Sequence, residues 1–82
     1  RVNSLCPGPV ETPIFEQMRR ELGAEGYAAA RGRVTQRTLM NRFGSVDEQA
    51  AAAAFLLSSE AAFITGVAMP VDGGWSISDG RV

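Results

Sequence analysis

The feature that most constrains the fold is an alanine-rich helix that is apolar on almost every side. Its start is marked by a capping box at 45–48, in which the Ser45 hydroxyl accepts from the Glu48 N–H and the Glu48 carboxylate reaches back. The helical period predicts a core-facing stripe of Val46, Ala50, Ala53, Ala54 and Leu57. Because Ala51, Ala52 and Phe55 fall on other faces, we expect burial on more than one side. In 82 residues, the second cover must come from more of the same protein or from another subunit.

The order of predicted elements indicates an α/β fold. Val2–Cys6 has the pattern of a strand, which Pro7 ends because proline lacks the N–H that a central strand donates. A helix is predicted from Thr12-Pro13, with Thr12 as its cap and Gly23 at its end, and the stretch 24–41 reads as a partly helical insert. After the capped helix, Val67–Val71 is a second strand. This order predicts parallel neighbouring strands at one end of a doubly wound sheet.

Composition excludes several classes of site. The chain has no His and no Lys, so it holds neither a His-based triad nor a His metal site nor a catalytic lysine, and its single cysteine, Cys6, forms no internal disulfide or cysteine zinc site. The net charge of −1 argues against a nucleic-acid surface, and no apolar run approaches the about 18 residues of a membrane span. The N-terminus lacks the apolar core of a signal peptide, and the unpaired cysteine favours a cytoplasmic location.

The candidate ligand site is the loop 7–12. In open α/β sheets, ligands bind beyond the carboxyl ends of the strands, and this loop leaves such an end and runs into a helix. Gly8 permits close backbone approach, and the N–H groups near Val10 and Thr12, with the Thr12 hydroxyl, can contact a polar ligand. The alternative is that the loop only turns the chain while Thr12 only caps a helix, and these six residues by themselves favour that alternative.

Four segments together resemble the classical short-chain dehydrogenase/reductase family. The segment 1–12, RVNSLCPGPVET, is similar to the family's sixth strand and Pro-Gly loop, and 42–59 is similar to its final helix. The segments 63–66, FITG, and 71–74, VDGG, resemble its ending. The resemblance implies the C-terminal part of a Rossmann-type doubly wound sheet, an NAD or NADP cofactor, and hydride transfer between an alcohol and a ketone. The longer protein that would contain this segment is called the parent protein below.

The resemblance also implies a separate role for each of three segments within residues 1–82. Residues 1–12 would form a strand and the cofactor loop, 13–44 the substrate lid, and 45–74 the last helix and strand. The family's contacts with the nicotinamide carboxamide match Pro7, Gly8 and the Val10 backbone, and Thr12 matches a hydroxyl that contacts the carboxamide or pyrophosphate. Asn3 matches a mainly structural asparagine.

Two lid residues are expected to be near the substrate. Ile14 and Met18 lie within the region that folds over a small alcohol or carbonyl substrate in the family, and they are candidates to line the pocket. Ordinary helix packing is the alternative for both, because isoleucine and methionine usually serve cores.

The chain also departs from the family. It lacks the glycine-rich cofactor loop, the catalytic Ser and the Tyr-x-x-x-Lys helix, so no catalytic residue is predicted and the 82 residues alone are expected to be inactive. The only tyrosine, Tyr27, is followed by Arg31, and we interpret these two as a helix-surface pair. An alternative is therefore a non-catalytic remnant or an oligomerisation module.

An assembly surface is predicted on the last helix and strand. Phe55, with Ala51 and Ala52, marks the outer face of the helix, and Pro70 makes Val67–Val71 an edge strand. The resemblance implies a dimer built from helix-on-helix and strand-beside-strand contacts within a homotetramer. The alternative is that Phe55 packs on another part of its own chain.

Overall fold

The computed structural model describes residues 1–78 and places two parallel strands beside two long helices. Strand β1 (Ser4–Pro7) pairs with strand β2 (Ala68–Val71) in a register that runs from Ser4 opposite Ala68 to Pro7 opposite Val71. Helix α1 (Ile14–Thr35) and helix α2 (Val46–Leu57) lie between them in the chain. The predicted parallel pairing is confirmed, although β1 begins two residues later than expected and includes Pro7.

The start of β1 is tied to the residues that precede β2. The Asn3 side-chain oxygen accepts from the Val67 N–H at 3.0 Å, and its amide nitrogen donates to the Ile64 carbonyl at 3.2 Å. The Gly66 N–H donates to the Val2 carbonyl at 2.7 Å. These bonds extend the strand pairing beyond its formal start, and they show Asn3 holding two chain segments together, which is the structural role expected for it.

The capping box of α2 forms as predicted, but its core-facing stripe is different. The Ser45 hydroxyl accepts from the Glu48 N–H at 3.1 Å, and the Glu48 carboxylate accepts from the Ser45 N–H at 2.9 Å. Leu56 is the buried residue of this helix, whereas Val46 is 56% exposed and Leu57 is 85% exposed. The predicted stripe is therefore wrong. Periodicity cannot select the inner face of a helix that is apolar all round, and the sheet on which α2 packs selects Leu56 instead.

Helix α1 is longer than predicted and is bent at Gly23. Its backbone there has φ 75° and ψ 170°, so two helical segments meet at this glycine, and the second continues to Thr35 through the stretch expected to be only partly helical. A positive φ favours glycine because it has no Cβ. Gly23 therefore ends the first segment, as expected, but joins it directly to a second one.

Thr12 does not cap α1. The helix begins at Ile14 with Pro13 at the capping position, and no side chain caps this end. The Thr12 carbonyl accepts from the Phe15 N–H at 3.1 Å, which forms a turn before the helix. The predicted cap is wrong because the helix starts too late for the Thr12 hydroxyl to reach its first free N–H groups.

The buried residues form a small set at the junctions between elements. Phe43 is 6% exposed, Leu56 8%, Thr38 1% and Ala61 0%. The last two described turns are 3₁₀ turns at Ser59–Ala61 and Trp75–Ile77, and the second lies in a tail that has no clear sequence period. Residues 79–82 lie outside the described residues. Within residues 1–78, neither helix is both long and apolar enough to cross a membrane.

Candidate functional site

The loop 7–12 leaves the carboxyl end of β1 directly beside the end of β2. The Gly8 N–H donates to the Val71 carbonyl at 3.2 Å and extends the parallel ladder by one bond. A Cβ at position 8 would lie 2.7 Å from both the Cα and the Cβ of Asp72. Such a separation is too short for two carbon atoms, so the close approach of the two chains requires glycine here.

A single bridge to Gly44 then fixes the middle of the loop. The Gly44 N–H donates to the Pro9 carbonyl at 2.9 Å, and the Gly44 carbonyl accepts from the Glu11 N–H at 2.9 Å, which pairs Gly44 with Val10 in parallel fashion. These bonds use groups of Pro9 and Glu11 but none of Val10 itself. The residue before α2 thus holds the loop on one side and leaves the backbone of Val10 free on the other.

Donors in the loop lack partners among residues 1–78. The N–H groups of Val10 and Thr12 and the Thr12 hydroxyl form no hydrogen bond with any described residue, although both residues are only partly exposed. Polar groups at such positions are normally paired with protein, water or a ligand. The structure therefore brings together, at the carboxyl end of the sheet, the two donor-bearing residues that the sequence singled out.

The two candidate lid residues lie on the first segment of α1. Ile14 is 67% exposed and Met18 is 39% exposed, and both project from the segment that immediately follows the loop. Apolar side chains that packed α1 against other parts of residues 1–78 would be less exposed than these two. The packing alternative is therefore not realised inside the described part of the chain.

A charged cluster joins the second segment of α1 to the loop. The Arg31 guanidinium donates through both terminal nitrogens to the two carboxylate oxygens of Glu11, with Nη1 at 2.7 Å from Oε1. The same Nη1 donates to the Tyr27 hydroxyl at 3.2 Å, so the predicted Tyr27–Arg31 pair is present. Hydrogen bonding to Arg31 lowers the pKa of Glu11, and the bond to Glu11 raises the pKa of Arg31 despite partial desolvation.

Phe43 is the apolar base of this cluster. The Arg31 guanidinium carbon lies 4.1 Å from the centre of the Phe43 ring, and the Phe15 ring meets it edge-on with the ring centres 4.9 Å apart. Sequence reasoning missed this arrangement and assigned Arg31 to a solvated face. Glu11 and Arg31 are 20 residues apart and follow no helical period, so no sequence signal pointed to their contact.

Residues 38–40, which follow α1, pack on the turn after β2. Thr38 is 1% exposed, and its hydroxyl donates to the Thr35 carbonyl at 2.9 Å and accepts from the Arg42 N–H at 3.1 Å. The Met40 N–H donates to the Gly73 carbonyl at 3.0 Å, and a Cβ on Gly74 would lie 2.7 Å from Leu39. The segment after α1 is thereby fixed to the end of β2.

Asp72, Gly73 and Gly74 form a turn directly after β2. The Asp72 carboxylate accepts from the Ser76 N–H at 2.9 Å and from the Gly74 N–H at 3.0 Å, and the bonds from Ser76 are the main cause of its lowered pKa. Gly73 and Gly74 both have positive φ. Asp72 is thus engaged in shaping the turn.

A cleft of about 420 Å³ lies between the loop, the start of α2 and this turn. Its lining includes Pro9, Gly44, Gln49 and Asp72. The Gln49 amide nitrogen donates to the Val71 carbonyl at 2.6 Å, while its oxygen is buried without a partner in the described chain. No group of three or more His, Cys, Asp or Glu side chains that could hold a metal ion occurs within residues 1–78.

Comparison with known proteins finds a matching family model and similar proteins. A family model described as enoyl-(acyl carrier protein) reductase matches residues 1–76. Levodione reductase from Leifsonia aquatica is 36% identical over 76 residues, which are 93% of this chain and 28% of that protein. The chain therefore spans less than a third of the length of this relative.

Solved structures show the same fold. A short chain dehydrogenase family protein from Francisella tularensis superposes with a TM-score of 0.78 at 30% identity, over 95% of this chain and 34% of that one. A putative 2-deoxy-D-gluconate 3-dehydrogenase from Agrobacterium tumefaciens, solved with bound NADP, superposes with a TM-score of 0.72 at 32% identity, over 92% of this chain and 28% of that one. The prediction that this α/β chain is part of a Rossmann-type fold is confirmed. Family match, fold and motif order agree: the chain belongs to the short-chain dehydrogenase/reductase family.

Proposed function

We propose that this chain is the C-terminal segment of an NAD(P)-dependent oxidoreductase that transfers hydride between a small alcohol and a ketone. Residues 1–12 would hold the nicotinamide end of the cofactor, 13–44 would cover the substrate, and 45–74 would complete the sheet and contact another subunit. The observation that carries the proposal is the loop at the carboxyl ends of β1 and β2, where Val10 and Thr12 present donors without partners among residues 1–78.

The residues of the loop fit a carboxamide or a phosphate. A carboxamide oxygen accepts hydrogen bonds, and the N–H of Val10 and the N–H and hydroxyl of Thr12 are available to donate them. Gly8 lets the loop lie directly against Asp72 at the end of β2, since a Cβ at position 8 would lie 2.7 Å from the Asp72 Cα. Either NAD or NADP meets these requirements, since the two differ at the far end of the molecule. When bound, the nicotinamide supplies or accepts the hydride.

The lid would act by covering and orienting the substrate. Ile14 and Met18 offer exposed apolar surface one helical turn apart, immediately after the cofactor loop. An apolar cover over the reacting carbon would exclude water and strengthen the polar contacts beneath it. The substrate class that fits this part of the site is a small alcohol or carbonyl compound with an apolar side.

The proposal is tested by titrating the parent protein, in its full natural length, with NADH and NADPH. Quenching or enhancement of nicotinamide fluorescence that saturates with one or both would support it, and so would oxidation of the cofactor when a panel of small ketones is added. If neither cofactor binds at millimolar concentration, the proposed function is wrong.

A second candidate is a non-catalytic module. The chain has no lysine, and the hydroxyl of Tyr27, its only tyrosine, accepts a hydrogen bond from Arg31. In that case the protein would form oligomers without binding NADH. The titration above discriminates between the two candidates, because only the oxidoreductase binds the cofactor.

A further inference from the structure

Arg31 contacts both sides of the bridge that fixes the cofactor loop. The bridge pairs Val10 with Gly44, and the neighbours of these two residues are Glu11 and Phe43. Arg31 binds the Glu11 carboxylate with both terminal nitrogens and stacks on the Phe43 ring at 4.1 Å. The Arg31 side chain on helix α1 therefore contacts a neighbour of each residue in the Val10–Gly44 pair, which holds the loop in place.

We infer that Arg31 is a positioning residue, which couples the lid helix α1 to the loop that holds the nicotinamide end of the cofactor. This inference rests on the proposed function. Glu11 lies between Val10 and Thr12, so a force that fixes the Glu11 side chain also limits the backbone motion of both donor residues. Binding of the cofactor to the loop is then favoured when the second segment of α1 is seated, and the seated segment is favoured when the cofactor is bound.

The chemistry of arginine suits this role. Its planar fork matches the two carboxylate oxygens of Glu11, and its flat face stacks on the buried Phe43 ring at the same time. A lysine could keep the charge but could make neither the paired hydrogen bonds nor the same stacking contact. Because the side chains of Arg31 and Glu11 are 33% and 49% exposed, the coupling is modest and falls with salt concentration.

Hydrogen–deuterium exchange on the parent protein without cofactor tests the coupling directly. Arg31→Gln should increase exchange in two separate regions, the second segment of α1 and the bridge amides, where the Glu11 N–H donates to the Gly44 carbonyl and the Gly44 N–H donates to the Pro9 carbonyl. Arg33→Gln is the matched control, because Arg33 is an exposed arginine on the same helix that forms no hydrogen bond or ion pair with residues 1–78 through its side chain. Faster exchange in α1 alone, with the Glu11 and Gly44 amides unchanged, would overturn the inference.

Cofactor titration supplies the second measurement. Arg31→Gln should weaken the binding of whichever of NADH and NADPH the parent protein takes by about two- to fivefold at low salt, and Arg33→Gln should leave it unchanged. Glu11→Gln keeps Arg31 on Phe43 and should weaken binding to a similar extent, and the double variant should be no weaker than either single one. Additive losses in the double variant would contradict coupling through this pair.

The two proposals fail in different ways. If the parent protein binds neither cofactor, the proposed function is wrong, while the exchange experiment still decides whether Arg31 links the helix to the loop. If the cofactor binds and Arg31→Gln changes neither the affinity nor the exchange of the Glu11 and Gly44 amides, the function stands and the role of Arg31 is wrong. Arg31→Lys should give an intermediate affinity because it keeps the charge and loses the fork.

Discussion

At the scale of single residues, Gly8 sets how closely β1 and β2 approach at their carboxyl ends. Gly8→Ala would place a methyl group 2.7 Å from the Asp72 Cα, and the backbone must move to relieve that contact. We expect a loss of about 1–3 kcal/mol in the free energy of unfolding of the parent protein, measured by urea denaturation.

Gly32→Ala is the control for this substitution. Gly32 lies inside α1, and a Cβ there would meet no atom within 4 Å, so the change should stabilise the protein by about 0.5–1 kcal/mol. Equal effects of the two substitutions would show that the approach of Gly8 to Asp72 is not tight in solution.

At the scale of elements, the start of α2 depends on the ionised Glu48 carboxylate. Hydrogen bonding to Arg42, then to the Ser45 N–H, lowers the pKa of Glu48 from its ordinary 4.5 to about 2. Because the folded-state pKa is the lower one, the contribution to stability is complete above pH 4.5 and is lost as the pH falls toward 2. It is also small and sensitive to salt, since the side chains of Arg42 and Glu48 are about half exposed.

Comparison of the parent protein with its Glu48→Gln variant measures this contribution. The difference in unfolding free energy between the two should be present at pH 6 and should shrink steadily below pH 4.5. Asp47→Asn is a suitable control, because Asp47 also lies in the first turn of α2 but pairs with no cation among residues 1–78. A difference between wild type and Glu48→Gln that stays constant down to pH 2 would contradict the lowered pKa.

The elements differ in how well the sequence predicts them. The capping box of α2 was predictable because it is a local pattern of Ser45 and Glu48. The buried face of the same helix was not predictable, because alanine and leucine lie on almost every side of it. The packing of α2 on the sheet determines that Leu56 is the buried residue. The continuation of α1 past Gly23 was predicted only in part, since Gly26 and Gly32 lower helix propensity and tertiary contacts at Arg31 and Phe43 offset that cost.

The site shows the same division between local and distant signals. The loop 7–12 was predictable from Pro7, Gly8 and the resemblance of its motif, because these residues are consecutive. The contact of Glu11 with Arg31 was not predictable, because it depends on the bend at Gly23 and on the packing of Phe43. Long-range ion pairs leave no periodic pattern in a single sequence.

At the scale of the whole molecule, α2 leaves apolar surface uncovered by residues 1–78. Phe55 on α2 is 39% exposed, and β2 is an edge of the two-stranded sheet. We propose that this surface joins subunits of the parent protein into a homo-oligomer, as its family membership favours. Phe55→Arg should shift the mass measured by sedimentation toward the monomer, because it places a charge in an apolar contact.

Glu25→Arg is the control for the interface. Glu25 is exposed on α1, a different helix, and its replacement by arginine should leave the mass unchanged. If Phe55→Arg folds, as judged by circular dichroism, and sediments with the wild-type mass, Phe55 packs within its own chain and the interface lies elsewhere.

The central claim is that the loop 7–12 binds the nicotinamide end of a cofactor, and cofactor affinity of Thr12→Val tests it most directly. Valine keeps the shape of threonine and removes the hydroxyl, so the Kd of the parent protein for NADH or NADPH should rise about two- to tenfold, equivalent to about 0.5–1.5 kcal/mol. Thr35→Val, which removes a hydroxyl bonded within α1 to the Gly32 carbonyl, should leave the Kd unchanged. An unchanged Kd for Thr12→Val, or an equal rise for both variants, would contradict the claim.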